Sequence, residues 1–147
     1  MDRRQSGARP PAEWIKPHTV LCATDNDCGS ERALRWASQF ASTVKADLVL
    51  VHVEPRLLPT DNEHYSNEYE EQVLAEAGQK MEKLQSAAGM QAEVVIRGGK
   101  VPGALSRTVK DLEANLLVIG RKSDASVGLG LNTYGIIRES ACPVVSV

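Results

Sequence analysis

Short apolar runs and helical stripes take turns along this chain from residue 19 to residue 147. Thr19–Ala23 (TVLCA) is apolar and partly β-branched, and it stops at Thr24-Asp25, which predicts a strand. Asn26, Asp27 and Gly29 break the chain, and Ser30 followed by Glu31 suits a helix N-cap and first turn. Ala33, Leu34, Trp36, Ala37, Phe40, Ala41 and Val44 then recur at helical spacing on one face. Asp47–Val53 (DLVLVHV) predicts a second strand, and its near-continuous hydrophobicity implies burial on both faces. Tyr69, Val73, Ala77, Met81 and Leu84 mark a long amphipathic helix, and Ala92–Ile96 (AEVVI) a third strand closed by Gly98-Gly99. Pro102 suits the first turn of a helix buried through Ala104, Leu105, Thr108, Val109 and Leu112. Asn115–Ile119 (NLLVI) reads as the fourth strand, Thr133–Ser140 as the last helix and Pro143–Val147 (PVVSV) as the closing strand.

This alternation predicts an α/β fold, a parallel sheet with helices on both faces and right-handed crossovers. In such sheets ligands sit beyond the carboxyl ends of the strands. The loops after Ala23, Val53, Ile96 and Ile119 therefore hold the candidate chemistry.

Bulk properties narrow the classes. A chain of 147 residues is one domain in length, and 42% hydrophobic with 24% charged residues is an ordinary globular balance. A net charge of −2 provides no general field for nucleic acid or acidic lipid, so neither is expected as a partner. No apolar run approaches the roughly 18 residues of a membrane helix. Residues 1–17 (MDRRQSGARPPAEWIKP) start basic, hold three prolines and lack the apolar stretch of a secretory signal. They are expected to form a flexible tail ahead of a domain spanning 18–147. Cys22, Cys28 and Cys142 form no CxxC pair, which suits reduced thiols in a cytoplasm.

Asp25 and Asp27 after the first strand have the spacing of a phosphatase nucleophile and acid, or of half a phospho-receiver pocket. Both chemistries need further acids at neighbouring strand ends to hold magnesium. Arg97-Gly98-Gly99 and Gly120-Arg121-Lys122-Ser123 stand there instead. Turn and helix-capping duty accounts for the aspartates equally well. His52, inside an apolar strand, reads as a packed, hydrogen-bonded histidine, and no metal site is expected. A strand running into Gly120 and a small-residue loop before a helix can cradle phosphate on backbone N–H groups, with Arg121 and Lys122 adding charge. A tight turn with solvated basic residues is the plainer reading of the same segment.

The ordered pieces VLCATDNDCGSERALRWA, DLVLVHV and NLLVIG…YGIIRESACPVVSV resemble the universal stress protein family, over about Pro17 to Val147. The resemblance implies a Rossmann-like or flavodoxin-like sandwich with strand order 3-2-1-4-5. It also implies a cytoplasmic stress-response binding or regulatory module rather than an enzyme, commonly a homodimer pairing through the closing strand. The family has members that bind ATP and members that do not. Carried over by position, the adenine side falls on Ala23, Thr24, Asp25 and Val53, and the phosphate loop on Ile119, Gly120, Arg121, Lys122 and Ser123. Aligned back from Cys142-Pro143, the loop's third glycine falls on Gly130 and its hydroxyl residue on Leu131.

The departures from the family's pattern have physical consequences. Nine residues separate Gly120 and Gly130 where the family pattern has twelve, and Ser123 replaces the second glycine. Serine costs about 1–2 kcal/mol where a left-handed backbone is required. Leu131 forfeits a hydrogen bond worth roughly 1.5–3 kcal/mol to a charged phosphate. The expectation is a cleft without tight ATP binding. The alternative is an ATP-binding switch, with magnesium and slow or no hydrolysis.

Overall fold

The structure is a computed structural model, and it describes residues 18–24, 28–57, 68–121 and 129–147 (backbone only at 28–29 and 129–132). The expected tail, residues 1–17, lies outside the described residues. The elements run β1 (Thr19–Thr24), α1 (Cys28–Val44), β2 (Asp47–Glu54), α2 (Glu68–Ala88), β3 (Glu93–Gly98), α3 (Val101–Asp111), β4 (Leu116–Ile119), α4 (Leu129–Glu139) and β5 (Val144–Ser146). The five strands form one sheet in the order β3-β2-β1-β4-β5, and every neighbouring pair is parallel. That is the order the family resemblance implied.

Strand alternation sends side chains to two separate cores. Val20, Cys22, Leu50, Leu116 and Val118 pack under Ala33, Leu34, Ala37 and Ala41 of α1 and Met81 and Leu84 of α2. Leu21, Val49, Val51, Val53, Leu117 and Ile119 pack under Ala104, Leu105 and Val109 of α3 and Ile136 of α4. The inner strands β1, β2 and β4 are buried almost throughout, whereas the edge strands β3 and β5 are mostly half-buried. Burial on both faces explains why DLVLVHV and NLLVI carry no polar alternation.

Helix ends are set by backbone geometry. Lys45, Gly89 and Glu113 follow α1, α2 and α3 with φ of 59°, 70° and 51°. The next residues reach back to the helix, Ala46 N–H to Ala41 O (2.8 Å), Met90 N–H to Gln85 O (3.0 Å) and Ala114 N–H to Val109 O (2.9 Å). These are Schellman endings, two of them on residues other than glycine. Pro102 sits in the first turn of α3 after Lys100, as its missing N–H allows. Gly135 of α4 lets that helix approach α3 closely, because a Cβ there would lie 3.0 Å from Cγ of Pro102.

Helix α1 begins at Cys28, so Ser30, expected as its N-cap, lies within its first turn, and β2 runs one residue further than expected, through Glu54; α2 and α4 differ as well. Tyr69 has helical spacing with Val73 yet is 58% exposed, and the buried face of α2 begins at Val73. Helix α4 begins at Leu129 rather than Thr133. Gly78, inside α2, has nothing within 4 Å of the Cβ an alanine would add. Gly78→Ala is expected to raise stability by about 0.5–1 kcal/mol, read as a higher urea midpoint at unchanged m-value.

Candidate functional site

The parallel sheet brings the carboxyl ends of β1, β2 and β4 side by side, which is where the candidate residues fall. The β1–β4 register pairs Cys22 with Val118, so Ala23 and Ile119 are the next neighbours along the two strands. Val53 on β2 shares their face of the sheet. Ile119 is 4% and Val53 8% exposed, and half-buried Ala23 packs against the same cluster. Together they belong to one apolar cluster at the carboxyl ends of the three strands.

On the opposite face the strand ends are polar. Thr24 is buried and donates its hydroxyl to Sδ of Met81 on α2 (3.3 Å). His52 is buried with Nδ1 3.3 Å from the Thr24 carbonyl oxygen and Nε2 3.6 Å from Glu54 Oε2. It is a packed histidine with polar neighbours, as its place in an apolar strand predicted. Glu54 lies one residue beyond the expected end of β2, and its side chain is 9% exposed. Arg56 Nε donates to Glu54 Oε1 at 2.8 Å, Arg56 Nη2 to Oε2 at 3.1 Å, and Arg56 Nη1 to Glu76 Oε2 at 3.3 Å. The bonded guanidinium holds Glu54 down to about 2, although burial pushes the other way. Glu54 in turn raises Arg56 above its ordinary value.

At the end of β4, Gly120 is half-buried and Arg121 exposed. Arg121 N–H donates to Val147 O (2.8 Å), and Val147 N–H to Ile119 O (2.9 Å), so the exit of β4 is bonded to the end of the closing strand. Arg32 on α1 completes this corner, its Nη2 donating to Arg121 O (3.0 Å) and Val147 O (3.3 Å). At the other end of the sheet, Asn115 Oδ1 accepts from the N–H groups of His18 (2.8 Å) and Thr19 (3.0 Å), anchoring the start of β1 beside β4.

Of the sequence candidates, Ala23, Thr24, Val53, Ile119, Gly120 and Arg121 meet at this end of the sheet. Gly130 and Leu131 stand in the first turn of α4. Asp25, Lys122 and Ser123 lie outside the described residues, as does Asp27. The sequence reading missed Glu54, Arg56 and Arg32. A charge ending a buried strand, with an arginine two residues on, was the available signal for the first two. Arg32 had none, because its partners are main-chain carbonyls 89 and 115 residues away.

The described residues contain no group of three or more His, Cys, Asp and Glu side chains able to hold a metal ion. Cys22 is buried and its thiol is pushed up to about 12 by desolvation, which makes it a packing residue rather than a nucleophile. Burial also raises Cys142, and the Ser140 hydroxyl 3.6 Å away offsets part of that. No helix of the described residues is long and apolar enough to cross a membrane.

Known proteins place this geometry. A universal stress protein family protein from Burkholderia pseudomallei superposes with a TM-score of 0.65 at 21% identity, covering 93% of this chain and 98% of its own. The universal stress protein from Archaeoglobus fulgidus in complex with dAMP gives 0.65 at 21% identity, covering 88% and 96%. An Arabidopsis thaliana universal stress protein family protein with AMP bound gives 0.59 at 18% identity, covering 89% and 91%. No curated protein sequence gives a significant match. Structural likeness at these identities establishes the fold. The family follows from the sequence itself, since the model for the universal stress protein family matches residues 17–147. The chain belongs to the universal stress protein family.

Proposed function

We propose that this protein is a cytoplasmic, non-catalytic stress-response module whose strand-end cleft takes an adenine nucleotide weakly. One observation carries the reading: α4 begins at Leu129, so only residues 121–128 lie between Gly120 and the helix. Gly130, aligned with a loop glycine of nucleotide-binding members, falls inside the helix. The N–H groups of the first turn, Gly130 among them, stay free and can meet one phosphate, but a wrap around a triphosphate needs a longer loop ahead of them. The base side keeps apolar residues at the strand ends, Ala23, Val53 and Ile119, in one cluster. The dAMP and AMP complexes of the relatives favour adenine as the base.

Each lost phosphate contact of about 1.4 kcal/mol lowers affinity tenfold, so two such losses cost two decades. Calorimetric titration with ATP and magnesium is expected to give a Kd no tighter than about 100 μM, with no hydrolysis above background. Low-micromolar binding would transfer the cleft to the alternative reading, an ATP-binding switch. The protein is further read as a homodimer pairing through β5. That strand is a sheet edge with half-buried Val144 and Val145, a surface that favours pairing with another strand.

A further inference from the structure

We infer that the β3–α3 corner is a binding site for a phosphate-like oxyanion, formed by Arg97, Lys100, Arg107 and the first turn of α3. The inference is independent of the nucleotide reading above. In the strand order β3-β2-β1-β4-β5, the exit of β3 lies three strand spacings, about 14 Å, from that of β4. Val95 packs on the α3 side of the sheet, and Arg97, two residues on, shares its face. Arg97 is half-buried, and its Nε is the one buried side-chain N or O atom without a hydrogen-bond partner among the described residues. Arg107, on the exposed flank of α3, folds back towards the same strand end. Its Nη2 donates to Gly98 O at 3.4 Å, and its Nη1 lies 3.8 Å from where a Cβ on Gly103 would stand. Lys100 is exposed and is the N-cap residue of α3.

Charge at this corner is one-sided. The N-terminus of a helix already carries partial positive charge, and cationic side chains beside it raise the potential further. Helix α3 has no acidic residue in its first turn, and Lys100 cannot cap it, because an ammonium accepts no hydrogen bond. Ala104 N–H is the first to bond back, to Lys100 O (2.9 Å), so the N–H groups of Val101 and Gly103 have no acceptor within the helix. Among the described residues no carboxylate pairs with Arg97, Lys100 or Arg107. Glu54 stands opposite Gly98 in the β2–β3 register, but it is taken by Arg56 on the other face of the sheet. A buried guanidinium N–H without an acceptor is costly, and an anion drawn against that guanidinium lowers the cost of holding its charge there. Guanidinium forks and main-chain N–H groups together match the tetrahedral oxygens of phosphate. The net charge of −2 gives no general attraction for anions, so any binding comes from this local arrangement.

The test titrates inorganic phosphate into the full chain, with sodium chloride at matched ionic strength as the control, while main-chain N–H resonances are followed. Saturable binding in the low-millimolar range is expected, with the largest shifts at Gly98, Val101 and Gly103 and none of comparable size from chloride. Arg107→Gln, at an exposed position outside both cores, is expected to weaken binding about tenfold. Arg97→Lys keeps the charge but loses the planar fork, and is expected to fall between that variant and the parent. Lys80→Gln removes the same charge from the exposed side of α2 and should change the affinity less than about twofold. An AMP arm separates two sources of the same group. Tighter binding of AMP than of phosphate at these N–H groups assigns the site to a phosphoester, and equal or weaker binding assigns it to the free anion. No saturation at tens of millimolar phosphate, equal shifts from chloride, or an Arg107→Gln variant that binds as the parent does would overturn the inference. Adenine nucleotide binding at the ends of β1, β2 and β4 would stand or fall separately, since adenosine reads that site without a phosphate.

Discussion

Leu21→Ala is expected to lower the unfolding free energy by about 3–5 kcal/mol, the upper part of the range for a buried leucine. Leu21 is 0% exposed in β1, the central strand, which is paired on both sides by β2 and β4. Its side chain lies among Val49, Val51, Leu105, Val109 and Leu117. Those neighbours cannot slide into the vacated space, because hydrogen-bonded strands flank the site and α3 covers it. The cavity therefore stays open, and the lost packing adds to the lost transfer energy. A domain of this size is stable by roughly 5–15 kcal/mol, so the variant still folds and urea denaturation reads the loss as a lower midpoint at constant slope. Val94→Ala on the edge strand β3, where the side chain is half-buried, is expected to cost about 1 kcal/mol. Equal losses at the two positions would contradict the difference in burial between the centre and the edge of the sheet.

Acid is expected to remove about 2 kcal/mol of stability through one carboxylate, Glu54. Its ordinary value is 4.5 and the folded protein holds it at about 2, so the folded state binds the proton less readily than the unfolded chain. The contribution is present in full above pH 4.5 and is lost as pH falls towards 2. The size is set below the full shift because the partner Arg56 is 41% exposed and solvent screens the pair. Glu54→Gln should be less stable than the parent at pH 7 and should show a flatter stability profile between pH 4.5 and 2. A parallel profile in the variant would show that the carboxylate does not drive the slope. This network also ties β2 to α2 through Arg56 and Glu76, so the same variant reports on how firmly that helix is held beside the cleft.

The elements were legible because burial leaves its mark at short range. TVLCA, DLVLVHV and NLLVI read as strands, the second as one buried on both faces, and their apolar residues lie in β1, β2 and β4 largely inaccessible to water. Errors came where the local signal was thin. The β2 strand runs through Glu54, a charge that a hydrophobicity pattern takes as the end of a strand. The early start of α4 was hidden by GLGL, whose glycines are poor helix formers. Tyr69 obeyed the stripe but is exposed, one turn ahead of Val73, where the helix's burial begins. Of the candidate cleft, the positions at strand ends were readable because a parallel sheet must line up its carboxyl ends. Glu54 was passed over although Arg56, two residues on, was a local sign of pairing, because a charge at the end of an apolar run reads first as the strand's solvated end.

By itself the chain determined its alternation of strands and helices, its parallel class and its family, since periodicity, glycine breaks and ordered motifs are properties of neighbouring residues. The order of strands in the sheet could be taken only by resemblance, because pairing depends on contacts between segments far apart in sequence. Tertiary structure alone decided that Arg32 bonds Arg121 and Val147, that Arg56 holds Glu54 ionised, and that Ala23, Val53 and Ile119 share one apolar cluster. Each of these joins groups that only folding brings within hydrogen-bonding or packing distance.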